Sequence, residues 1–450
     1  MGNFLTLLHK SKKMPTFTHS HIESIYITNC LPVRKMKSFK RVFDDRWSFW
    51  DADTKEYSHG YHAYPAMMIP QVCRSLIREY RPEGRFSLIF DPYMGSGTTL
   101  VEGVVAGVNS IGTDLNPLAR MMARVKTTHY NAKEITEQIQ NIAFQCSFYS
   151  EDKVNNRDFD RIYNYSYWYS EDVLMKLSFL AQTIDKLTSN KDFFELILAE
   201  TVRETSFTRN GEFKRFRMKQ ESIQKFKPDV FKIFDQKTNR NIKGLKNFNK
   251  LNNNTSVRIY DFDTSLGIPK DIIKNGDVDM VVTSPPYGDS RTTVAYGQFS
   301  RWANEWFGFD NASNLDSLLM GGKKTDKELF ETDSLKDILG AIKNLDEKRY
   351  YEVISFLNDY WMSIQNVAKS VRNGGVVCYV VGNRTVKGIQ IDLDYYTAEM
   401  FEKCGFKHTT TIVRSIPNKR MPSKTSPTNK PGDKVSTMTN EYIVILKKAN

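Results

Sequence analysis

Between Ser87 and Asp114 the chain reads strand, glycine turn, helix, strand, acid, and few folds accommodate that order. Ser87-Leu-Ile-Phe90 is a short apolar run leading into Asp91-Pro-Tyr-Met-Gly-Ser-Gly-Thr-Thr99. Thr98 to Val108 continues at helical spacing, and Asn109-Ser-Ile-Gly-Thr-Asp114 reads as a second strand ending on a carboxylate. Pro117 to Lys126 begins another helix. This is the unit of a doubly wound α/β sheet.

The rhythm then breaks. Residues 130–255 are helical and polar, and the sheet pattern resumes at Val257-Arg-Ile-Tyr260 and Val278-Asp-Met-Val-Val-Thr283. It continues through Gly375–Gly382, Thr409–Arg414 and Glu441–Leu446, the last two bracketing a long Pro/Lys loop. The expected organisation is an N-terminal arm over 1–57, a first sheet segment over 58–129, a helical basic insertion over 130–255 and a second sheet segment over 256–450. Residues 310–350, charged and containing glycine, read as a second, irregular insertion.

The net charge of +12 is concentrated. Residues 201–250 hold 14 Lys/Arg against 5 Asp/Glu, and a second basic stretch runs from Arg414 to Lys434. Such clusters suit a polyanion, because each neutralised phosphate releases a counterion. A solvated face that aids solubility is the competing account. No apolar run reaches the length of a membrane span, and no secretory signal opens the chain, so no membrane partner is expected. Met1–Thr6 fits only a loose myristoylation pattern. The five cysteines form no close pair, which argues against a zinc site or a disulfide framework and suits a reducing cytoplasm.

Gly95 and Gly97 let the chain turn tightly and bring backbone N–H groups towards a ligand. Leu100 stands where a dinucleotide fingerprint has its third glycine, and no Gly-Lys-Ser/Thr follows. Asp114, at the tip of the next strand, suits vicinal ribose hydroxyls. A ribose without a pyrophosphate points to S-adenosylmethionine, whose ammonium and sulfonium charges would also suit Asp91.

The second informative segment is Thr283-Ser-Pro-Pro-Tyr287, again at a strand tip. Pro285 and Pro286 fix the backbone and remove two N–H donors. What remains is a row of acceptors, the Ser284 hydroxyl and backbone carbonyls, beside the flat face of Tyr287. An exocyclic amino group on a nucleobase is a poor nucleophile, because its lone pair is delocalised into the ring. Rigid acceptors for both amino hydrogens favour a pyramidal nitrogen that can attack a methyl donor. Tyr287 can stack on an extruded base, a contact worth roughly 1–3 kcal/mol.

Together these motifs resemble those of the S-adenosylmethionine-dependent DNA amino-methyltransferases of bacterial restriction–modification systems. Asp91-Pro-Tyr-Met-Gly-Ser-Gly-Thr-Thr is similar to their cofactor motif, and Thr-Ser-Pro-Pro-Tyr to the catalytic motif of their cytosine-N4 members. Tyr61-His-Ala-Tyr-Pro-Ala66 resembles the segment that closes over the methionine end of the cofactor. The resemblance implies a Rossmann-like class I methyltransferase with a seven-stranded mixed sheet, its last strand antiparallel. It implies cofactor contacts from Tyr64, Pro65, Asp91, Tyr93, Gly95, Ser96, Gly97, Thr98, Thr99, Asp114 and Asn116, and from an acid after the third strand, Asp261 or Asp263. Base contacts would come from Ser284, Pro285, Pro286 and Tyr287. The insertion between Asp114 and Asp261 departs from the usual plan, so the target-recognition region is not assigned by the resemblance.

Double-stranded DNA is the expected partner, with a cognate restriction endonuclease acting on the same site and the enzyme itself a monomer. Candidate DNA contacts are Arg203, Arg209, Lys214, Arg215 and Arg217 in the insertion, Arg291 after the catalytic motif, and Lys419 and Arg420 in the late basic loop. The expected activity is methyl transfer to cytosine N4 of a flipped base. Adenine N6, guanine N2 in RNA, and a non-catalytic DNA-binding role on the same scaffold are the rival readings.

Overall fold

The computed structural model describes residues 39–450 apart from 156, 252–253, 291, 417–423, 426–434 and 437. Its centre is an eight-stranded sheet. In chain order the strands are β1 (Arg41–Phe43), β2 (Leu88–Asp91), β3 (Asn109–Thr113), β4 (Val257–Tyr260), β5 (Val278–Thr283), β6 (Val371–Val381), β7 (Phe406–Ser415) and β8 (Asn440–Lys448). Across the sheet they run β1-β7-β8-β6-β5-β2-β3-β4. β8 is antiparallel to both β6 and β7, and the other pairings are parallel.

The seven expected strands are therefore present with an antiparallel last member, and β1 adds an eighth at the edge. Its residues belong to the stretch read as an arm, where three alternating residues carry too little pattern to stand out. The chain winds from β2 outward through β3 to β4, then returns to β5 on the other side of β2. That reversal opens a crevice beyond the carboxyl ends of β2 and β5, the usual ligand position in such sheets.

Burial explains the strand sequences. Every residue of β5 is buried, hence its near-continuous apolar run. Its one charge, Asp279, accepts from Arg372 Nε at 2.7 Å, Arg85 Nε at 3.1 Å, and the Ser87 and Leu88 amides at 2.8 and 2.9 Å.

Helices flank both faces: α1 (Pro70–Glu79), α2 (Thr98–Val105), α3 (Pro117–Thr127), α4 (Ala132–Ser147), α5 (Glu171–Asp185), α6 (Lys191–Glu204), α7 (Val230–Phe248), α8 (Tyr296–Trp306), α9 (Glu347–Ser370) and α10 (Leu393–Lys403). The insertion helices α4 to α7 share one apolar core with α3 and α8, in which Phe193, Phe194, Trp302 and Trp306 are buried. Each such aromatic removes roughly 150–250 Å² from water. That is about 4–6 kcal/mol of gross transfer energy apiece. The insertion is thus packed into the body of the protein. Among the described residues no helix is long and apolar enough to cross a membrane.

Candidate active site

β2 and β5 lie side by side, Ile89 opposite Met280 and Phe90 opposite Val281. The turns leaving them open into one cleft, lined by Asp91, Tyr93, Gly95, Ser96 and Thr98 from the first and by Ser284 and Pro286 from the second. About 950 Å³ of space lies within and at the mouth of the cleft, which is open to solvent.

The two turns also touch. Asp91 is buried, and its Oδ1 accepts from Thr283 Oγ1 at 2.6 Å and from the Tyr93 amide at 3.2 Å. Gly95 and Gly97 take positive φ, +48° and +82°, which turns the Gly95 amide onto Asp114 Oδ2 at 3.0 Å. The Asn116 amide holds the other carboxylate oxygen at 2.8 Å. A Cβ on Gly97 would meet that of Ala123 at 2.8 Å, so α2 and α3 meet closely there. Leu100, in place of the third glycine, is accommodated by Gly112, where a Cβ would lie 3.0 Å from Leu100 Cδ1 and 2.6 Å from Met94 Sδ.

The opposite wall is Tyr64 and Pro65. The Tyr64 ring stacks on Tyr296 at 5.8 Å, and its hydroxyl accepts from Asn116 Nδ2 at 2.9 Å. Asn116 also donates to Ser300 Oγ at 2.7 Å and accepts from the Leu118 amide and Asn304 Nδ2, both at 3.2 Å. It borders the cleft, but its amide is committed to protein partners. Thr99 does not line the cleft; its hydroxyl donates to the Val282 carbonyl at 3.0 Å and ties α2 to β5. Gly97 shapes the turn without lining the cleft.

Of the two candidate acids after β4, Asp263 lines the cleft, whereas Asp261 is exposed, 4.0 Å from Arg120. Asp261 is therefore withdrawn as a cleft residue. The phase of an irregular turn is not readable from residue types. The same reason hid Phe262, and Leu319 and Met320 of the second insertion, all of which line the cleft. Nothing in the sequence marked Leu319 or Met320.

Ser284 donates its hydroxyl proton towards the Val380 carbonyl at 3.1 Å and lies 3.2 Å from the Tyr287 hydroxyl. Pro285 is buried beneath the turn. Tyr287 is outside the cleft lining, and its hydroxyl donates to Glu441 Oε1 at 3.1 Å. The aromatic faces bordering the cleft are those of Tyr64, Tyr93, Phe262 and Tyr296.

Among the described residues three carboxylates line this cleft, Asp91, Asp114 and Asp263, and no Lys, Arg or His does. In a chain of net charge +12 the cleft is thus an acidic island. Burial raises Asp91 to about 6 and Asp114 to about 6. Such a site repels pyrophosphate and attracts a cation that donates hydrogen bonds.

A family profile described as DNA methylase matches residues 2–125. The type II methyltransferase M.MvaI of Kocuria varians is 39% identical over 442 residues, covering 91% of this chain and 96% of the relative. The chain belongs to the type II DNA methyltransferases. M.MjaII of Methanocaldococcus jannaschii, another type II methyltransferase, is 24% identical over 403 residues, covering 69% of this chain and 74% of the relative. Among solved structures, an rRNA methyltransferase (aviRa) of Streptomyces viridochromogenes overlaps with a TM-score of 0.33 at 10% identity, covering 86% of this chain and 88% of that one. At that score the likeness says nothing of substrate.

S-adenosylmethionine is the methyl donor of this type II methyltransferase. The cleft's own chemistry fits it: Asp114 and Asp263 offer acceptors to ribose and amine hydrogens, and Asp91 offers negative charge beside Ser284.

The expected DNA contacts fare unevenly in this methyltransferase. Arg203 is buried; it donates to the Phe299 and Glu212 carbonyls at 3.1 and 2.8 Å and lies 4.2 Å over the Phe299 ring. Arg203 is therefore a structural residue and not a DNA contact. Residues 207–218 form a hairpin-like turn, with Thr208 bridged to Arg217. On it Arg209 is exposed and pairs with Glu212 at 3.0 Å. Arg217 lies 4.2 Å over the Tyr167 ring, and Lys214 is half-buried. Arg215 is half-buried, 4.7 Å from the Trp302 ring and 5.7 Å from that of Trp168. Arg291, Lys419 and Arg420 lie outside the described residues.

Proposed function

We propose that this type II methyltransferase methylates cytosine N4 in double-stranded DNA, acting on a base flipped out of the duplex. The observation that carries this reading is the adjacency of Asp91 and Thr283 at 2.6 Å, which sets an acidic donor half beside a serine-tipped acceptor half in one cleft.

When bound, S-adenosylmethionine supplies an electrophilic methyl group on a sulfonium. The residues do the rest by orientation. Asp114 and Asp263 hold the nucleoside end, and Tyr64, stacked on Tyr296, walls the cleft opposite. Ser284 Oγ and the neighbouring backbone carbonyls accept the two hydrogens of the cytosine amine. That directs the nitrogen lone pair along the cleft towards the donor's methyl group. No cysteine is needed, because no covalent adduct to the ring forms.

Serine at position 284 favours cytosine N4 over adenine N6. The exposed face of the 207–218 hairpin, with Arg209 and Arg217, contributes phosphate contacts. Membership of the type II class makes an endonuclease acting on the same sequence the expected partner.

The test is to incubate duplex DNA with the protein and S-adenosylmethionine, digest it to nucleosides and analyse them by mass spectrometry. N4-methylcytosine is expected. N6-methyladenine would reassign the acceptor, and absence of any methylated nucleoside would remove the activity.

A further inference from the structure

β8 brings a carboxylate to the back of the catalytic turn. Glu441 lies opposite Arg414 in the register of β8 and β7. Its two oxygens face different partners. Oε2 accepts from Arg414 Nε at 3.0 Å and lies 3.0 Å from Nη2, while Oε1 accepts from the Tyr287 hydroxyl at 3.1 Å. Arg414 is buried, and its Nη1 donates to the Trp47 carbonyl at 2.8 Å, so the guanidinium is fixed from behind. Gly382 makes room for the tyrosine ring, since a Cβ there would lie 2.6 Å from Tyr287 Cδ2.

These contacts impose a direction on the hydrogen bonds. A carboxylate only accepts, so the single phenolic proton of Tyr287 goes to Glu441. Towards Ser284, 3.2 Å away, the phenol oxygen can then only accept. The Ser284 proton points to Val380 O or to the phenol. Among the described residues no group donates to Ser284 Oγ, so its lone pairs stay available to the cleft.

We infer that Glu441 is a positioning residue which, through Tyr287, keeps Ser284 an acceptor towards the substrate amine. This rests on the reading of Ser284 as the amine's partner. Glu441→Gln preserves shape and reverses the chain. Arg414 sends two N–H groups at the Oε2 position, so the amide oxygen must occupy it and the amide NH₂ must face Tyr287. Tyr287 then accepts from Gln and donates to Ser284, occupying the lone pair meant for the amine.

The experiment is single-turnover methyl transfer with the full chain, alongside a calorimetric titration of S-adenosylmethionine. E441Q is expected to slow transfer roughly 10- to 100-fold with donor affinity unchanged. The double variant E441Q/Y287F, which has no phenol to pass the reversal on, is expected to recover to the rate of Y287F alone, above that of E441Q. A double variant slower than E441Q, or an E441Q rate equal to the native one, would overturn the inference. If E441Q does not fold, Y287F against S284A still decides it: Y287F must lose less than S284A, and an equal loss overturns it. S284A itself tests the underlying reading. Full activity in S284A would remove Ser284 from the chemistry whatever Glu441 does.

Discussion

Thr283 Oγ1 donates a 2.6 Å hydrogen bond to Asp91 Oδ1, joining the tip of β5 to the tip of β2. Residues 192 positions apart thereby share one polar contact at the floor of the cleft. The acid that would face the donor is held by the residue that precedes Ser284.

Replacing Thr283 by Val keeps the shape and removes that donor, leaving Asp91 with the Tyr93 amide and the Thr99 hydroxyl. A buried carboxylate that loses one partner costs about 1–3 kcal/mol. T283V is expected to lower the urea midpoint accordingly. D91N keeps an acceptor for Thr283 but removes the charge, and S-adenosylmethionine affinity should fall by roughly 10- to 100-fold in calorimetry.

The pH dependence has a definite sign. Burial raises Asp91 and Asp114 to about 6, above the ordinary 3.8 of an unfolded aspartate. The native protein therefore holds extra protons between pH 4 and 6, and these two groups make the ligand-free protein less stable as pH rises through that window. Donor binding goes the other way, because a cation needs the charged carboxylates. Affinity should rise up to about pH 6 and level off above it, with D114N removing part of the rise.

Lys126 is fully buried, and its ammonium has no hydrogen-bond partner among the described residues. Burial, then the nearby Arg240, lowers it to about 7. An unfolded lysine keeps its proton to higher pH, so the unfolded state is the more protonated one above pH 7, and stability should climb from there towards pH 10. K126M should flatten that climb. It should also stabilise the protein at neutral pH by about 1–4 kcal/mol, read from denaturant melts.

Arg203 and Arg209 should separate cleanly. R203A removes a buried guanidinium from two carbonyls and should cost about 2–3 kcal/mol of stability without changing the salt dependence of DNA binding. R209A should leave the melting temperature in place and reduce the salt slope by about 1.

Much of this was readable in advance where chemistry and period coincide. The runs ending at Asp91 and Thr283 announced buried parallel strands, and Gly95 and Gly97 announced a turn that only positive φ allows. Residues whose position depends on loop phase were not readable. Asp261 and Asp263 are equivalent on paper, and a one-residue step decides which faces the cleft. Arg203 looked like a surface cation in a basic stretch, but the core shared by α6 and α8 buries it. Glu441 carried no signal at all, since its importance comes from the antiparallel register that sets it against Arg414.

The central claim is that one cleft has two separable halves, a donor half at Asp91 and an acceptor half at Ser284. S284A, assayed for both S-adenosylmethionine binding and single-turnover transfer to duplex DNA, tests it most directly. The account predicts unchanged donor affinity with transfer slowed on the order of 100-fold. Donor binding and transfer lost together, or transfer left intact, would contradict it.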